Sequence, residues 1–262
     1  MKYLLPLFIQ RQDTELILMN LQNIGAKVFR YRGQIPALLL LLILPVVCFF
    51  PCPISTLLGD IYALKLLSLS FILSGVFYRT YSVGFRFDHS SGRNRHNQVA
   101  QHLNTTDAYS MSQHPLYFSN GLLWMGILLV LDNCLAFCIG CSYYIVFSSV
   151  IIRTETIFLD NTFGEDYRQW KKKRPDFLPN PMKYKRGDKR FNWMRVFATE
   201  YPSWVSIIAS VLALHILKNS IESNTFSFGK GDLQLVVVGL VVGFSGRFYK
   251  YIVVRKWLKK SI

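Results

Sequence analysis

The sequence predicts an all-α protein that crosses a membrane about six times, with both ends of the chain in the cytosol. Hydrophobic residues make up 51% of its 262 residues, and they gather in separate apolar stretches instead of spreading evenly. Basic residues gather in alternate connecting segments, and the formal net charge is +15. Such a distribution fits a polytopic helical membrane protein better than one large soluble domain.

Six apolar stretches are each close to, or slightly shorter than, the ~20 residues that cross a bilayer core. Flanking aromatic side chains can supply the missing turns at the membrane interface. We therefore predict a transmembrane helix over each of the stretches 35–50, 61–77, 117–131, 134–152, 204–217 and 233–244. The shortest of them could instead be buried core helices or re-entrant segments.

The basic residues orient these helices, because short cytosolic loops collect Lys and Arg. They are dense before the first stretch, after the second, after the fourth and in the C-terminal tail. On the opposite side we find Lys218 and Lys230. An even number of spans with both termini in the cytosol follows from this asymmetry.

The charge also indicates the kind of partner. The basic residues are dispersed over several loops beside apolar spans, which does not favour nucleic-acid binding. Anionic lipid headgroups suit this distribution better, so the predicted partners are the bilayer and a membrane lipid. Residues 11–34 are predicted to form an amphipathic surface helix, and the sequence does not indicate an oligomeric state.

The five cysteines lie in or next to the apolar spans. Three of them follow one another closely, which could suggest a metal site, but Asp132 is the one further ligand type nearby. We therefore interpret the cysteines as small apolar residues of the spans, and we predict no metal.

Two polar segments stand out against the apolar background. The first, residues 79–113, contains Arg93 and Arg95 and leads into the third predicted span. The second begins with Arg153 and Glu155 at the cytosolic end of the fourth span. Ionisable groups at membrane depth are costly and are usually functional, although a snorkelling side chain or a local ion pair is the alternative.

Both segments carry motifs that resemble the isoprenylcysteine carboxyl methyltransferase and phospholipid methyltransferase superfamily. The first motif reads Gln113-His114-Pro115-Leu116-Tyr117, with Gly121 and Gly126 after it. The second contains Glu155, Thr156, Leu159, Phe163, Gly164, Tyr167 and Trp170, and ends in Pro175-Asp176-Phe177-Leu178-Pro179. The match covers about residues 90 to 180, in the order and spacing of the family. The family usually has Arg in place of Gln113 and a second Glu in place of Thr156.

The resemblance implies that S-adenosylmethionine is the cofactor and that it binds at the cytosolic ends of the helices. His114 and Tyr117 are then the first cofactor contacts, and Glu155 is the partner of the cationic end of the methionine moiety. Tyr109 and Gln113 are further predicted cofactor contacts, since the short segment between them packs over the cofactor. The flanking sequence resembles a bacterial branch that methylates the lipid A 1-phosphate, which implies a bacterial inner membrane and a site that faces the cytosol.

The acceptor follows from the chemistry of methyl transfer, which is an in-line displacement that needs alignment more than a base. A phosphate or carboxylate acceptor is already ionised at neutral pH, so cations are enough to place it. Arg93, Arg95 and Arg153 are therefore the candidate catalytic residues, and an amine acceptor would call for more carboxylates or aromatic faces.

These observations favour O-methylation of a lipid phosphate. Four alternatives stay open: carboxyl methylation of a prenylcysteine or another lipidated acid, N-methylation of phosphatidylethanolamine, an NADPH-dependent membrane reductase, and a lipid-binding scaffold without activity. The sequence divides into an interfacial segment (1–34), the first two helices (35–78), a catalytic core with the next two (79–200), and the last two with a basic tail (201–262).

Overall fold

The structure, a computed structural model, describes residues 35–87 and 100–258. The surface helix predicted over residues 11–34 lies outside the described residues. So do Arg93 and Arg95, which are two of the three predicted catalytic residues.

Helices are the regular secondary structure of the described residues, and no strand occurs among them. The α-helices are α1 (Ile35–Phe49), α2 (Ile54–Leu58), α3 (Ile61–Phe85), α4 (Ala108–Met111), α5 (Pro115–Leu129), α6 (Cys134–Lys172), α7 (Trp193–Ser223) and α8 (Lys230–Leu258), and a 3₁₀ turn covers Pro181–Lys183. The all-α prediction is confirmed, and each predicted apolar stretch coincides largely with one of the six longer helices.

Four of these helices are long and apolar enough to cross a membrane: α3, α6, α7 and the part of α8 over Lys230–Ile252. Helices α1 and α5 have 15 residues each, which corresponds to about 22 Å at 1.5 Å per residue. That is shorter than the ~30 Å hydrocarbon core of a bilayer. The structure is thus compatible with an integral membrane protein, while the count of six spans and the orientation stay predictions.

Helices α3 and α5 pack against each other through small residues. A Cβ atom added at Gly126 would lie 2.8 Å from the backbone oxygen of Ser68 and 2.6 Å from Cγ1 of Ile72. The Ser68 hydroxyl donates a hydrogen bond of 2.7 Å to the backbone oxygen of Gly126. Small residues that let backbones approach in this way are typical of helix pairs in membranes. The contact sets the start of α5 beside the end of α3.

A disulfide bond joins Cys52, before α2, to Cys134 at the start of α6, with 5.5 Å between their Cα atoms. The Cys134 amide also donates to the backbone oxygen of Cys52 over 2.8 Å. The interpretation of these two residues as unpaired apolar side chains is therefore wrong. They are 82 residues apart, so their pairing depends on helix packing that local spacing does not reveal. The remaining cysteines are free: Cys48, Cys138 and Cys141.

The same end of the bundle contains a cluster around Asp132. Its carboxylate accepts hydrogen bonds from the amide and the hydroxyl of Ser55, at 2.7 and 2.6 Å. Lys218 of α7 completes the cluster, with 3.2 Å between its Nζ and Oδ2 of Asp132. Lys218 is a residue predicted to lie away from the cytosol, so the disulfide and this cluster share that end.

Helix α6 is interrupted at Gly164, which has φ 55° and ψ −123°. Glycine adopts a positive φ at little cost because it has no Cβ atom. The residues after the break form a second helical segment with a different direction. This segment carries Tyr167, Trp170 and Lys171 to the start of α5.

Candidate functional site

The two sequence motifs meet where the chain passes from α4 into α5. The backbone N–H of Gln113 donates to the backbone oxygen of Pro175 over 2.9 Å. The Ser112 hydroxyl donates to the backbone oxygen of Phe177 over 2.9 Å. These bonds hold residues 112–114 against the segment that follows α6. The two motifs are separate in the sequence, but their residues are therefore neighbours in space.

A narrow cleft lies at this junction. Four residues predicted to bind the cofactor line it together: Tyr109, Gln113, His114 and Glu155. The other lining residues, which the sequence analysis did not assign to the site, are His102, Leu103, Asn104, Leu159 and Trp170. The cleft has a volume of about 30 Å³.

His114 forms the entry to α5 and is 6% exposed. Burial lowers the pKa of His114 to about 4, with Asp176 opposing this shift and Lys171 adding to it. The imidazole is therefore neutral at pH 7, with one nitrogen that donates and one that accepts. The ring of Tyr117 packs edge-on against it, with 5.9 Å between the ring centroids. Tyr117 is not one of the residues that line the cleft, and its contact with the cofactor stays a prediction.

Gln113 is 5% exposed and joins the cleft to the end of α6. Its Nε2 donates to the backbone oxygens of Lys171, at 3.2 Å, and of Arg174, at 2.9 Å. Its Oε1 is buried without a hydrogen-bond partner among the described residues. Arginine, which the resembled family has here, carries donors and no acceptor. Gln113 therefore presents a buried acceptor that the usual residue does not offer.

Aromatic and acidic side chains complete the cleft. Glu155 lies half-buried on α6. Burial raises the pKa of Tyr109 to about 12; Arg86 and Arg79 act against this rise, and Glu155 adds to it. The indole Nε1 of Trp170 is buried, and within the described part of the chain it has no hydrogen-bond partner. The cleft thus combines a carboxylate, an unsatisfied acceptor, an unsatisfied donor and flat apolar faces.

A larger groove of about 640 Å³ lies on the other side of Gln113. Its walls come from α6 on both sides of the Gly164 break and from residues 174–176, and they include Thr156, Tyr167 and Lys171. Gln113 lines both the groove and the cleft. The cleft and the groove are therefore adjacent at this residue.

Of the predicted acceptor-binding cations, Arg153 is the one that lies among the described residues, and it does not line the cleft. Arg153 is exposed on α6 and precedes Glu155 by two positions, which is about 200° around a helix of 3.6 residues per turn. It lines neither the cleft nor the groove. Arg93 and Arg95 lie outside the described residues.

Comparisons of the chain with protein-family models, with curated proteins and with solved structures found no match. The interpretation of this site therefore depends on its own contacts and on the motifs that meet there.

Proposed function

We propose that this protein is an integral membrane methyltransferase that uses S-adenosylmethionine and acts on an anionic lipid, with O-methylation of a lipid phosphate as the favoured reaction. One observation carries the proposal. Tyr109, Gln113, His114 and Glu155, which come from two distant segments of the sequence, line the same cleft.

The groups in the cleft fit this cofactor. Gln113 Oε1 and the Glu155 carboxylate suit an ammonium or sulfonium group. Gln113 Oε1 is a buried acceptor without a partner among the described residues, and such an acceptor calls for a donor. The faces of Tyr109 and Trp170 suit a cation or a flat heterocycle. When bound, S-adenosylmethionine supplies a methyl group to which an acceptor oxygen bonds while the carbon–sulfur electron pair stays on sulfur.

The size of the cleft adds a step to binding. A volume of about 30 Å³ has room for about one water molecule. Ligand cavities are typically ~300 Å³ or more. The walls formed by residues 102–104 and by Trp170 must therefore move apart, or the ligand must extend past Gln113 into the groove. We propose that the cofactor binds to an opened form of the protein.

The orientation that we propose places the cleft in the cytosol, beside the basic loop that follows α6. The disulfide between Cys52 and Cys134 supports this orientation because it lies at the opposite end of the bundle. Disulfides persist in oxidising compartments such as the bacterial periplasm. A bacterial inner membrane is the location that we propose.

The acceptor is proposed to be anionic because its ionised oxygen needs positioning by cations and no general base. Arg153 stays a proposed acceptor contact, since an exposed guanidinium where the apolar part of α6 ends can bind a lipid headgroup through charge-assisted hydrogen bonds. Arg93 and Arg95 have the same proposed role.

Cofactor binding tests the proposal. Detergent-purified protein is titrated in a calorimeter with S-adenosylmethionine, S-adenosylhomocysteine and NADPH, and the first two are expected to bind. Binding of NADPH alone would point to a reductase. If none of the three compounds binds, the protein is better explained as a lipid-binding scaffold.

Mass spectrometry of lipids from cells with and without the gene then identifies the acceptor. We expect one added methyl group on a lipid phosphate. A methyl group on an amine or on the carboxylate of a lipidated protein would contradict the phosphate acceptor but not the methyltransferase.

A further inference from the structure

The groove beside Gln113 has an excess of positive charge that the proposed cofactor does not use. Arg168 is engaged by Asp160, with Nε 2.8 Å from Oδ1 and Nη2 3.2 Å from Oδ2. The other charged residues that line the groove are Lys171, Lys172, Arg174 and Asp176. Three cations therefore face one carboxylate, which favours an anionic ligand.

We propose that this groove binds the phosphate group of the acceptor lipid, an inference that rests on the proposed methyltransferase function. The ligand chemistry is a phosphate monoester at the end of a lipid. Lys171 and Arg174 are its principal contacts, and Gln113 separates it from the cofactor.

Arg174 is held in a position from which it can donate. Its Nη1 donates to the backbone oxygen of Lys183 over 3.0 Å. Its Nε is buried and has no hydrogen-bond partner in the described part of the chain. A buried donor without a partner is costly, so a site that contains one is suited to a ligand that accepts. A phosphate oxygen is such an acceptor.

The side-chain amide of Gln113, which lines both the cleft and the groove, also holds the backbone of Lys171 in place. Gln113 Nε2 donates to the backbone oxygens of both Lys171 and Arg174. The backbones of the two residues that contact the phosphate are thus hydrogen-bonded to Gln113. The Oε1 atom of Gln113 is buried and has no hydrogen-bond partner among the described residues. This arrangement sets the acceptor headgroup next to the cofactor instead of at a remote surface.

The chain that leaves the groove supports a lipid as the source of the phosphate. Leu178 and Met182, which follow Asp176 closely, are 68% and 96% exposed. Lys183 lies beside Met182 in the same segment. Exposed apolar side chains among basic residues are typical of segments that lie in the membrane interface. The groove is therefore expected to open next to lipid headgroups.

The test uses the full-length protein in detergent, titrated with short-chain phosphatidic acid, with inorganic phosphate and with S-adenosylhomocysteine. The variants are Lys171→Met and Arg174→Lys, the second of which keeps the charge but removes the Nε donor. Lys173→Met is the matched control, because Lys173 is an exposed neighbour that does not line the groove. We expect about a tenfold or larger loss of affinity for phosphatidic acid in both groove variants and wild-type affinity in the control.

The affinity for S-adenosylhomocysteine separates this inference from the proposed function. Loss of phosphatidic acid binding with retained S-adenosylhomocysteine binding supports the groove and shows that the variants are folded. Wild-type phosphatidic acid affinity in both groove variants overturns the groove, even where S-adenosylhomocysteine binds. Inorganic phosphate that binds as tightly as phosphatidic acid overturns the assignment to a lipid. If wild-type protein binds no S-adenosylhomocysteine, the methyltransferase proposal fails, and the phosphatidic acid titration still decides the groove.

Discussion

Arg79 of α3 and Glu200 of α7 form an ion pair inside the helical bundle, with 2.6 Å between Nε and Oε2. Glu200 is 2% exposed. The guanidinium also donates from Nη1 to Oδ1 of Asn120 on α5, over 2.7 Å. Three helices are therefore joined through the guanidinium of Arg79.

We expect Glu200→Ala to destabilise the protein by about 3 kcal/mol, because it leaves a guanidinium that is only 16% exposed without its counter-ion. The double variant Arg79→Met/Glu200→Leu removes both charges and is expected to be more stable than the single variant. Thermal unfolding in detergent measures both. A double variant at least as unstable as Glu200→Ala would contradict this account of the pair.

Gly126→Ala is expected to destabilise the pair of α3 and α5 by about 1–3 kcal/mol, because the new methyl group meets the backbone of Ser68 and the helices must separate. Gly243→Ala is the control, since its Cβ would lie 3.5 Å from Cγ2 of Val205, which is an ordinary contact. Its unfolding free energy should stay within about 0.5 kcal/mol of wild type. Equal effects at both positions would show that the close approach is not the cause.

His114→Ala and Glu155→Ala are each expected to weaken the binding of S-adenosylmethionine by at least tenfold, or about 1.4 kcal/mol, through loss of a buried polar contact. Isothermal titration calorimetry measures the affinity. Arg153→Ala is the control and should retain it, because Arg153 is exposed and does not line the cleft. Wild-type affinity in the first two variants would remove both residues from the cofactor site.

The depressed pKa of His114 predicts a pH-dependent stability. Between the ordinary pKa of 6.5 and the folded value of about 4, the unfolded chain binds a proton that the folded protein does not. The contribution of neutral His114 is therefore complete above about pH 6.5 and decreases as the pH falls to about 4, by about 3 kcal/mol in total. Unfolding free energies over this range should decrease less in His114→Gln. Parallel curves for variant and wild type would contradict the assignment.

The charge asymmetry predicts that Lys173 lies in the cytosol, at the end of α6 that is remote from the disulfide. A reporter that is active only in the cytosol, fused after Lys173, should be active, and one fused after Asn224 should not be. The opposite pattern would invert the map and place the cleft outside the cytosol.

The apolar stretches predicted the existence of the long helices but not their ends. Helix α6 continues to Lys172 and α7 begins at Trp193, well outside the stretches 134–152 and 204–217. Hydrophobicity marks the part of a helix that faces lipid, whereas the helix itself continues wherever its backbone hydrogen bonds are satisfied. The break at Gly164 lies in such a polar continuation. Because apolar residues do not recur regularly there, the sequence pattern does not reveal the break.

The part of the candidate site that is formed by motif residues could be predicted from the sequence. Gln113, His114 and Glu155 came from the motifs and line one cleft. The groove is lined in part by motif residues, but its cations Lys171, Lys172 and Arg174 are not in the motifs. Their position depends on how the chain turns after Gly164. The pair of Arg79 and Glu200 has no local pattern either, because Arg79 is simply the first residue of the polar segment 79–113. Contacts between distant segments depend on packing, which a single sequence does not display.

The disulfide between Cys52 and Cys134 closes a covalent ring that contains helices α2 to α5 together with the segment that enters the cleft. In the orientation that we propose, the bond forms only after Cys134 has been translocated, so α3 and α5 are already inserted when it closes. Once closed, the ring holds the two halves of the chain together if a protease cuts the backbone anywhere between the two cysteines. The fragments of a nicked molecule would then separate on a denaturing gel only after a reductant is added.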